Sequence, residues 1–156
     1  AEVEKYLDVE KIINEISNNH NLKLNKDYIY FLDSTLVRIW FFNEDAKKIF
    51  YENFLNKAEL LSNGSLITEE IAKKEKIPWG DKRYGDLIWW ANTGVLIFPD
   101  FFHRTKMYKG MHGYDTNLEQ NNGFCIVKGP NVENINLDKI HLTKIFFLLK
   151  NLLGFD

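Results

Sequence analysis

Residues 27–43 read DYIYFLDSTLVRIWFFN, and this stretch decides the local architecture of the chain. Two runs rich in aromatic and β-branched residues, Asp27–Leu32 and Leu36–Phe42, flank Asp33-Ser34-Thr35, which is the spacing of a β-hairpin with a short loop. Ser34 and Thr35 beside an aspartate can suggest a nucleophile. A hairpin turn needs short polar residues there in any case, and no histidine is near in sequence, so the structural interpretation is favoured.

Helices and strands are predicted on both sides of this hairpin. Asn43 can cap a helix across Glu44–Ala58, and Asp8, after the apolar-leaning segment Val3–Leu7, can cap a helix to about Asn18. The remaining predicted elements are a turn at Asn63-Gly64-Ser65, a short helix that Thr68 opens, a second hairpin of Asp86–Ala91 and Val95–Phe98 with Trp89 and Trp90 on opposite faces, a buried strand at Gly123–Val127, a turn at Gly129-Pro130, and a buried helix at Leu137–Leu153 with Gly154 at its C-cap.

Composition bounds the class of protein. The chain has 156 residues, of which 45% are hydrophobic, and this predicts one packed globular unit. Twenty basic and 22 acidic residues give a formal charge of −2, so we expect no binding to a nucleic-acid polymer or an anionic membrane. No apolar run is long enough for a membrane span, and no signal peptide is predicted at the start. The single cysteine, Cys125, is predicted to be a small buried hydrophobe and suits a reducing compartment, which favours a cytoplasmic location.

The candidate site lies in residues 99–122, which show no regular pattern and are therefore expected to be functional or disordered. Within them, Lys109-Gly110-Met111-His112-Gly113-Tyr114-Asp115 places a histidine between two glycines, whose backbones can approach a ligand closely. His112 and His103, with Asp100 and Asp115, offer the ligand types that suit zinc or a similar ion. Their spacing matches no self-contained zinc motif, so a metal ligand and a structural loop histidine both stay open for His112. His20, in a polar turn, is predicted to be exposed, and His141 to be structural.

This loop and several stretches around it together resemble a known protein family. The segment 109–115, the stretch Gly123–Pro130 and the apolar helix ending at Gly154 resemble the closing part of the nucleotide pyrophosphatase/phosphodiesterase family, of the alkaline phosphatase superfamily. The stretches Arg83–Ile88 and Gly94–Asp100 also resemble what precedes that histidine in these proteins. The similarity covers about residues 83–154, and the hairpin 27–42 resembles their smaller inserted subdomain more loosely.

The resemblance implies a metal-dependent hydrolase. In such enzymes two divalent metal ions, usually zinc, lie at the C-terminal edge of a central sheet, where a threonine or serine attacks phosphorus. By position, His112 corresponds to the last metal-ligating histidine. Asp115 is our own candidate for a partner that orients the imidazole, and Tyr114 and Lys109 are further candidates on the substrate side. The implied substrate is a phosphodiester or nucleotide-type small molecule.

The chain also lacks most of the motifs that define this family. Its other motifs are an aspartate after the first strand, the nucleophile, an Asp-x-x-x-His pair and an Asp-His-Gly triplet, and none of them occurs here. One histidine cannot hold two metals, so we expect this chain to be the C-terminal portion of a longer hydrolase, cut just after Asp-His-Gly, and to be inactive alone. The two metal ions are expected in the full-length parent and are not required in this chain. The alternatives are a non-catalytic binding or interaction domain, and part of a phosphoglycerate mutase-like phosphotransferase of the same superfamily.

The predicted fold class is α+β, within an α/β parent. Residues 1–26 are expected to form a strand–helix element of the main sheet, 27–82 a small mixed α+β cap subdomain, and 83–156 the C-terminal metal-loop part of an alkaline-phosphatase-like α/β/α sandwich. A fragment of a larger sheet would expose apolar surface, so self-association is also expected.

Overall fold

A computed structural model of the chain describes residues 1–119, 122–129, 132–133, 136 and 138–155. It divides into two compact units, Ala1–Asn122 and Gly123–Asp156. Helices and strands occur together in the mixed arrangement of the predicted α+β class. The elements in chain order are β1 (Lys5–Leu7), α1 (Val9–Asn19), β2 (Tyr28–Asp33), β3 (Leu36–Phe41), α2 (Glu44–Asn56), α3 (Ala58–Asn63), β4 (Gly64–Leu66), α4 (Glu69–Lys74), β5 (Leu87–Ala91), β6 (Val95–Ile97) and α5 (Lys144–Leu152).

The first unit contains a four-stranded antiparallel sheet in the order β2-β3-β5-β4. The predicted hairpin forms its first two strands, with Tyr28 opposite Phe41 and Asp33 opposite Leu36, so the prediction is confirmed. Strand β3 then pairs with β5. Strands from before and after residue 82 therefore belong to the same sheet. The predicted division of the chain at residues 27 and 83 stays a prediction.

Strand β6 forms a separate two-stranded parallel sheet with β1. The predicted second hairpin is therefore wrong, because β5 and β6 lie in different sheets. The carbonyl of Gly94 accepts hydrogen bonds from the backbone N–H groups of Glu4 and Lys5, which direct β6 to β1. All three residues of β6 are buried, as is typical of a parallel strand covered on both faces.

The caps of three helices agree with the sequence. Side-chain oxygens of Asp8, Asn43 and Thr68 accept hydrogen bonds from the first turns of α1, α2 and α4. The helix predicted to reach Ala58 is interrupted at Lys57, whose extended backbone separates α2 from α3.

The predicted turn at residues 63–65 is wrong, because Gly64 lies in a strand. Its backbone is extended, and it begins strand β4 directly after α3. A methyl group at this position would overlap the Trp89 ring and the Trp90 carbonyl oxygen. The glycine is therefore required by the close approach of β5 and not by a turn.

Both faces of the four-stranded sheet are covered. Trp89 is 1% exposed and belongs to the main core with residues of α1 and α2, whereas Trp90 packs against a smaller cluster of Ile67, Ala72 and Ile88. The two tryptophans thus lie on opposite faces of β5, as predicted. The main core also includes Tyr114, from the irregular segment that contains the candidate site.

The second unit differs most from expectation. Residues 123–127 form no strand, Phe124 is 92% exposed, and Cys125 is exposed. Helix α5 has no buried residue, whereas heavy burial was predicted, because its own unit has no second described helix or strand to cover it. Gly154 was predicted at the C-cap, but Leu153 holds that position; Gly154 follows it with a positive φ, and its N–H donates to the Asn151 carbonyl. Pro130 and Leu137 lie outside the described residues.

Among the residues that the model describes, no helix has the length and apolar character needed to cross a bilayer.

Candidate functional site

The backbone on the N-terminal side of His112 is fixed by the first residues of the chain. The Val3 N–H donates to the Lys109 carbonyl at 2.8 Å, and Glu2 forms an antiparallel bridge with Gly110. Ala1 and Met111 then exchange two hydrogen bonds, of 2.7 and 2.9 Å. The candidate loop therefore runs antiparallel to residues 1–3 and reaches His112 directly after the pair with Ala1.

The backbone on the other side of His112 is fixed by two side chains. The Gly113 carbonyl accepts hydrogen bonds from Thr35 Oγ1 at 3.0 Å and from Trp90 Nε1 at 2.9 Å. Gly113 has a φ of +94°, and a Cβ there would lie 2.7 Å from Thr35 Oγ1. We call this group of Thr35, Trp90 and the Gly113 carbonyl the Gly113 clamp. The close approach that this glycine allows is to the Thr35 side chain, and the predicted approach to a ligand stays a prediction.

The His112 side chain itself is exposed. Within the described part of the chain, its imidazole has no hydrogen-bond or ion-pair partner, and no group of three or more His, Cys, Asp or Glu side chains is arranged to hold a metal ion. A catalytic zinc normally needs about three protein ligands. The described residues thus present one imidazole on an anchored backbone, which can fill one coordination position.

The other predicted site residues have different surroundings. The Lys109 side chain is exposed, whereas Tyr114 is 1% exposed and its hydroxyl has no hydrogen-bond partner among the described residues. Burial raises the pKa of Tyr114 to about 12. The Asp115 carboxylate accepts hydrogen bonds from the backbone and side chain of Asn117, which orders the turn after the loop.

A second polar cluster joins the hairpin turn to the segment after β6. The Asp100 carboxylate is fully buried and accepts hydrogen bonds from Ser34 Oγ at 2.9 Å, His103 Nδ1 at 3.0 Å, and the backbone N–H groups of Phe102 and His103. Four donors satisfy a buried carboxylate that would otherwise be costly. The structure therefore brings Asp100 and His103 together, as two of the four candidate ligands.

This cluster is not arranged as a hydrolase triad. In a triad the two imidazole nitrogens face different partners, so that the serine proton passes to one nitrogen while the acid holds the other. Here Ser34 Oγ and Asp100 Oδ2 both face Nδ1 of His103, at 3.5 and 3.0 Å. Ser34 consequently acts as a structural donor to Asp100, in agreement with the structural interpretation of the turn.

Adjacent residues of the hairpin turn contact the two candidate regions. Ser34 Oγ donates to the Asp100 carboxylate, and Thr35 Oγ1 donates to the carbonyl of Gly113, the residue after His112. Among the described residues, however, no three His, Cys, Asp or Glu side chains are placed together to hold a metal ion, so Asp100 and His103 do not complete a metal site with His112 in this structure.

One described cleft does not have His112 among its lining residues. It has a volume of 690 Å³ and is bounded by the α1–β2 connection and helix α2. Its charged lining residues are Lys23, Lys26, Lys48, Asp27, Asp45 and Glu52, together with His20. The opposite charges are equal in number, so this cleft shows no preference for an anionic substrate.

Residues of the Gly113 clamp were not identified as site residues from sequence. Thr35 and Trp90 lie 78 and 23 positions from Gly113, and nothing in their local patterns indicates that contact. The one local signal is the position of Thr35 in a hairpin turn, where a short polar residue is common but threonine in particular is not required. His20 and His141 are exposed, and His141 Nδ1 lies 2.8 Å from Thr143 Oγ1.

Comparison of the chain with protein-family models, with curated proteins and with solved structures gives no match.

Proposed function

We propose that this chain is the C-terminal segment of a metal-dependent phosphodiesterase or nucleotide pyrophosphatase-like hydrolase, in which His112 supplies the last metal-ligating histidine. The resemblance of residues 83–154 to that family is the starting point. The substrate is a phosphodiester or nucleotide-type small molecule. The remaining ligands and the nucleophile are contributed by a part of the protein that precedes this segment.

The pair of hydrogen bonds between Ala1 and Met111 is the observation that carries this proposal. Met111 is the residue before His112, and Ala1 donates to and accepts from its backbone. Any chain joined to the amino end of Ala1 would therefore enter beside His112. An Asp-His-Gly triplet just upstream would then bring an aspartate and a histidine close to the His112 imidazole, as a shared metal site requires.

The residues at the loop fit one part of such a site. An exposed imidazole on a backbone anchored at both neighbours can coordinate a borderline metal such as zinc without reorganising the loop. When bound, two such metals would neutralise charge on the transferred phosphoryl group. Asp115 lies close in sequence to His112 and is the proposed partner that orients it, and the exposed ammonium of Lys109 can attract an anionic substrate.

The decisive experiment compares two histidine variants of the full-length protein that contains this segment. We expect His112→Ala to lower kcat/KM for an aryl phosphodiester by at least about 100-fold, because losing a metal ligand should cost at least as much as losing a group that orients one, which costs about 10–100-fold. His20→Ala is the matched control, because His20 is also exposed but lies in the charge-balanced cleft. Equal loss in both variants, or no loss in His112→Ala, would overturn the proposal.

Two other functions would be supported by other observations. A non-catalytic binding domain would be favoured by a reading frame whose start codon directly precedes Ala1. A phosphoglycerate mutase-like phosphotransferase would transfer phosphate between the hydroxyls of a small acid and leave the aryl phosphodiester intact. The residues immediately upstream of Ala1 distinguish the hydrolase from both, since the metal and nucleophile motifs differ.

Self-association belongs to the same proposal, because a segment of a larger fold exposes surface that the rest would cover. Phe146 and Phe147 of α5 are 66% and 62% exposed, and Phe101 and Phe102 are exposed to a similar degree. We expect the isolated chain to form dimers or larger species as its concentration rises, measured by sedimentation velocity. A single monomeric species at high concentration would contradict this expectation.

A further inference from the structure

The cluster of Asp100, His103 and Ser34 uses only one of the two imidazole nitrogens. Asp100 Oδ2 lies 3.0 Å from His103 Nδ1, and the Ser34 hydroxyl lies 3.5 Å from that same nitrogen. Because the carboxylate accepts a hydrogen bond from the ring, Nδ1 carries the proton of the neutral imidazole and Nε2 carries the lone pair. The geometry that excludes a hydrolase triad therefore leaves Nε2 available for another reaction.

The Nε2 atom of His103 is open to solvent. The His103 side chain is 20% exposed. Among the described residues, the buried side-chain polar atoms without a hydrogen-bond partner are Arg38 Nε, Thr93 Oγ1 and the Tyr114 hydroxyl, and Nε2 of His103 is not one of them. Since Nε2 has no hydrogen-bond partner within the described part of the chain, it reaches the surface. A small molecule can therefore approach it.

The imidazole ring of His103 is held in a defined orientation. The fully buried Asp100 carboxylate, which binds Nδ1, is itself fixed by the backbone N–H groups of Phe102 and His103. The Tyr108 ring meets the imidazole edge to face, with the ring centroids 4.4 Å apart, and the Tyr108 carbonyl accepts a hydrogen bond from the Tyr6 hydroxyl. Nε2 is thus placed before a partner arrives, which lowers the entropic cost of a reaction there.

Lys106 adds a positive charge beside this ring system. Its ammonium lies 5.6 Å from the centroid of the Tyr108 ring, which contacts His103. The neighbouring cation Arg104 is already paired with Glu10 at 2.8 Å, whereas Lys106 forms no ion pair within the described part of the chain. The local charge consequently favours an anionic electrophile, and a phosphoryl group is the anionic electrophile that suits an imidazole nucleophile.

We propose that His103 accepts a phosphoryl group on Nε2 from an acyl phosphate. The Nε2 lone pair attacks phosphorus and forms the N–P bond, while the bond from phosphorus to the acyl oxygen breaks and the carboxylate leaves with that electron pair. An acyl phosphate is the donor class because its carboxylate leaves without a proton from the protein. The Nδ1 proton stays hydrogen-bonded to Asp100, whose charge stabilises the positive charge that the ring gains.

This inference goes beyond the proposed function and does not depend on His112. The experiment incubates the full-length protein with acetyl phosphate and maps the phosphorylated residues by mass spectrometry at neutral pH. His20 and His141 are matched controls in the same molecule, because both are exposed and neither is hydrogen-bonded to a carboxylate among the described residues. We expect His103 to be labelled at least about tenfold faster than either, because its charge-assisted hydrogen bond strengthens as the ring becomes cationic.

The variant His103→Asn gives a second measurement. Its amide keeps a hydrogen-bond donor for Asp100 but has no nucleophilic nitrogen, so the label at this position should be lost. Mapping of the unmodified protein tests the proposal even if this variant does not fold. An unlabelled His103 in the unmodified protein, or equal rates at His103, His20 and His141, would overturn the proposal. A label that persists in the same peptide of His103→Asn would assign the phosphoryl group to another residue and overturn it as well.

Discussion

At the scale of single residues, two buried tyrosines differ in their hydrogen bonding. The Tyr28 hydroxyl lies 2.6 Å from Ser17 Oγ, and Tyr28 is 2% exposed. The Tyr114 hydroxyl is as deeply buried and has no hydrogen-bond partner among the described residues. A buried hydroxyl that is not hydrogen-bonded costs about 1–3 kcal/mol. The Tyr114 ring therefore contributes to the core, while its hydroxyl lacks a hydrogen bond and lowers the stability.

This difference predicts opposite effects for the same substitution. Tyr114→Phe should raise the free energy of unfolding by about 1 kcal/mol, because it removes the unsatisfied hydroxyl and keeps the ring. Tyr28→Phe is the matched control and should lower it by about 1 kcal/mol, because the hydrogen bond between the Tyr28 hydroxyl and Ser17 Oγ is lost, while Ser17 Oγ still donates to the Ile13 carbonyl. Urea denaturation at neutral pH measures both. A loss of stability in Tyr114→Phe equal to that in Tyr28→Phe would contradict the interpretation.

The raised pKa of Tyr114 adds a dependence on pH. Burial raises its pKa from 10.0 to about 12 in the folded chain, so the unfolded chain releases this proton first. The associated stability is fully present below pH 10 and is lost as the pH rises towards 12, at about 1.4 kcal/mol per pH unit. Tyr114→Phe should therefore show a shallower loss of stability between about pH 10 and 12. Identical slopes for the two proteins would contradict the assignment.

At the scale of secondary-structure elements, what could be predicted depends on how far apart the determining residues are. The hairpin of β2 and β3 and the caps at Asp8, Asn43 and Thr68 depend on residues within a few positions of each other, and these predictions are confirmed. Strand β6 was assigned to β5 because a turn joins them. Its true partner is β1, about ninety residues away, and that choice depends on burial of both faces, which a local pattern does not encode.

The same difference between neighbouring and distant residues applies to the candidate site. His112 and its flanking glycines were selected as the candidate site because they lie in one contiguous stretch, and that selection stays a prediction. The anchors of that loop could not be recognised, because Ala1, Thr35 and Trp90 come from three distant segments. The buried Asp100 and the half-buried His103 were included among the candidate ligands by residue type alone, and only their three-dimensional contacts identify them as a structural cluster.

A substitution at Gly64 tests the packing of strand β4 against strand β5. Gly64→Ala should lower the free energy of unfolding by about 3 kcal/mol, because the new methyl group would overlap the Trp89 ring at the crossing of β4 and β5. Gly123→Ala is the matched control, since no atom lies within 4 Å of the added Cβ and the backbone is not at positive φ. Thermal or urea denaturation measures both variants. Equal stability of the Gly64 and Gly123 variants would show that Gly64 is not packed in this way.

At the scale of the whole molecule, the first unit is well packed but holds only one component of the proposed site. Its core draws on both sheets, on α1 and α2, and on Tyr114, so the loop before Tyr114 is held by a stable body. The described residues provide a single anchored imidazole and no arranged group of metal ligands. Under the proposed function, a complete metal centre would need ligands beyond those that the described residues provide.

The isolated chain should accordingly be inactive. With an aryl phosphodiester and added zinc, we expect the rate of hydrolysis to equal that of a blank that contains zinc alone, because one imidazole gives neither a nucleophile nor a bound metal pair. The chain with His112→Ala serves as the control for background hydrolysis. Turnover above the blank that disappears in His112→Ala would contradict the view that the site is shared with another part of the protein.

The most direct measurement of the central claim is the zinc content of the full-length protein with and without His112. Elemental analysis after exhaustive dialysis counts the retained ions per molecule, and His20→Ala controls for loss of an exposed histidine. We predict that the unmodified protein and His20→Ala retain two zinc ions and that His112→Ala retains at most one. Retention of both ions by His112→Ala would contradict the assignment of His112 as a metal ligand.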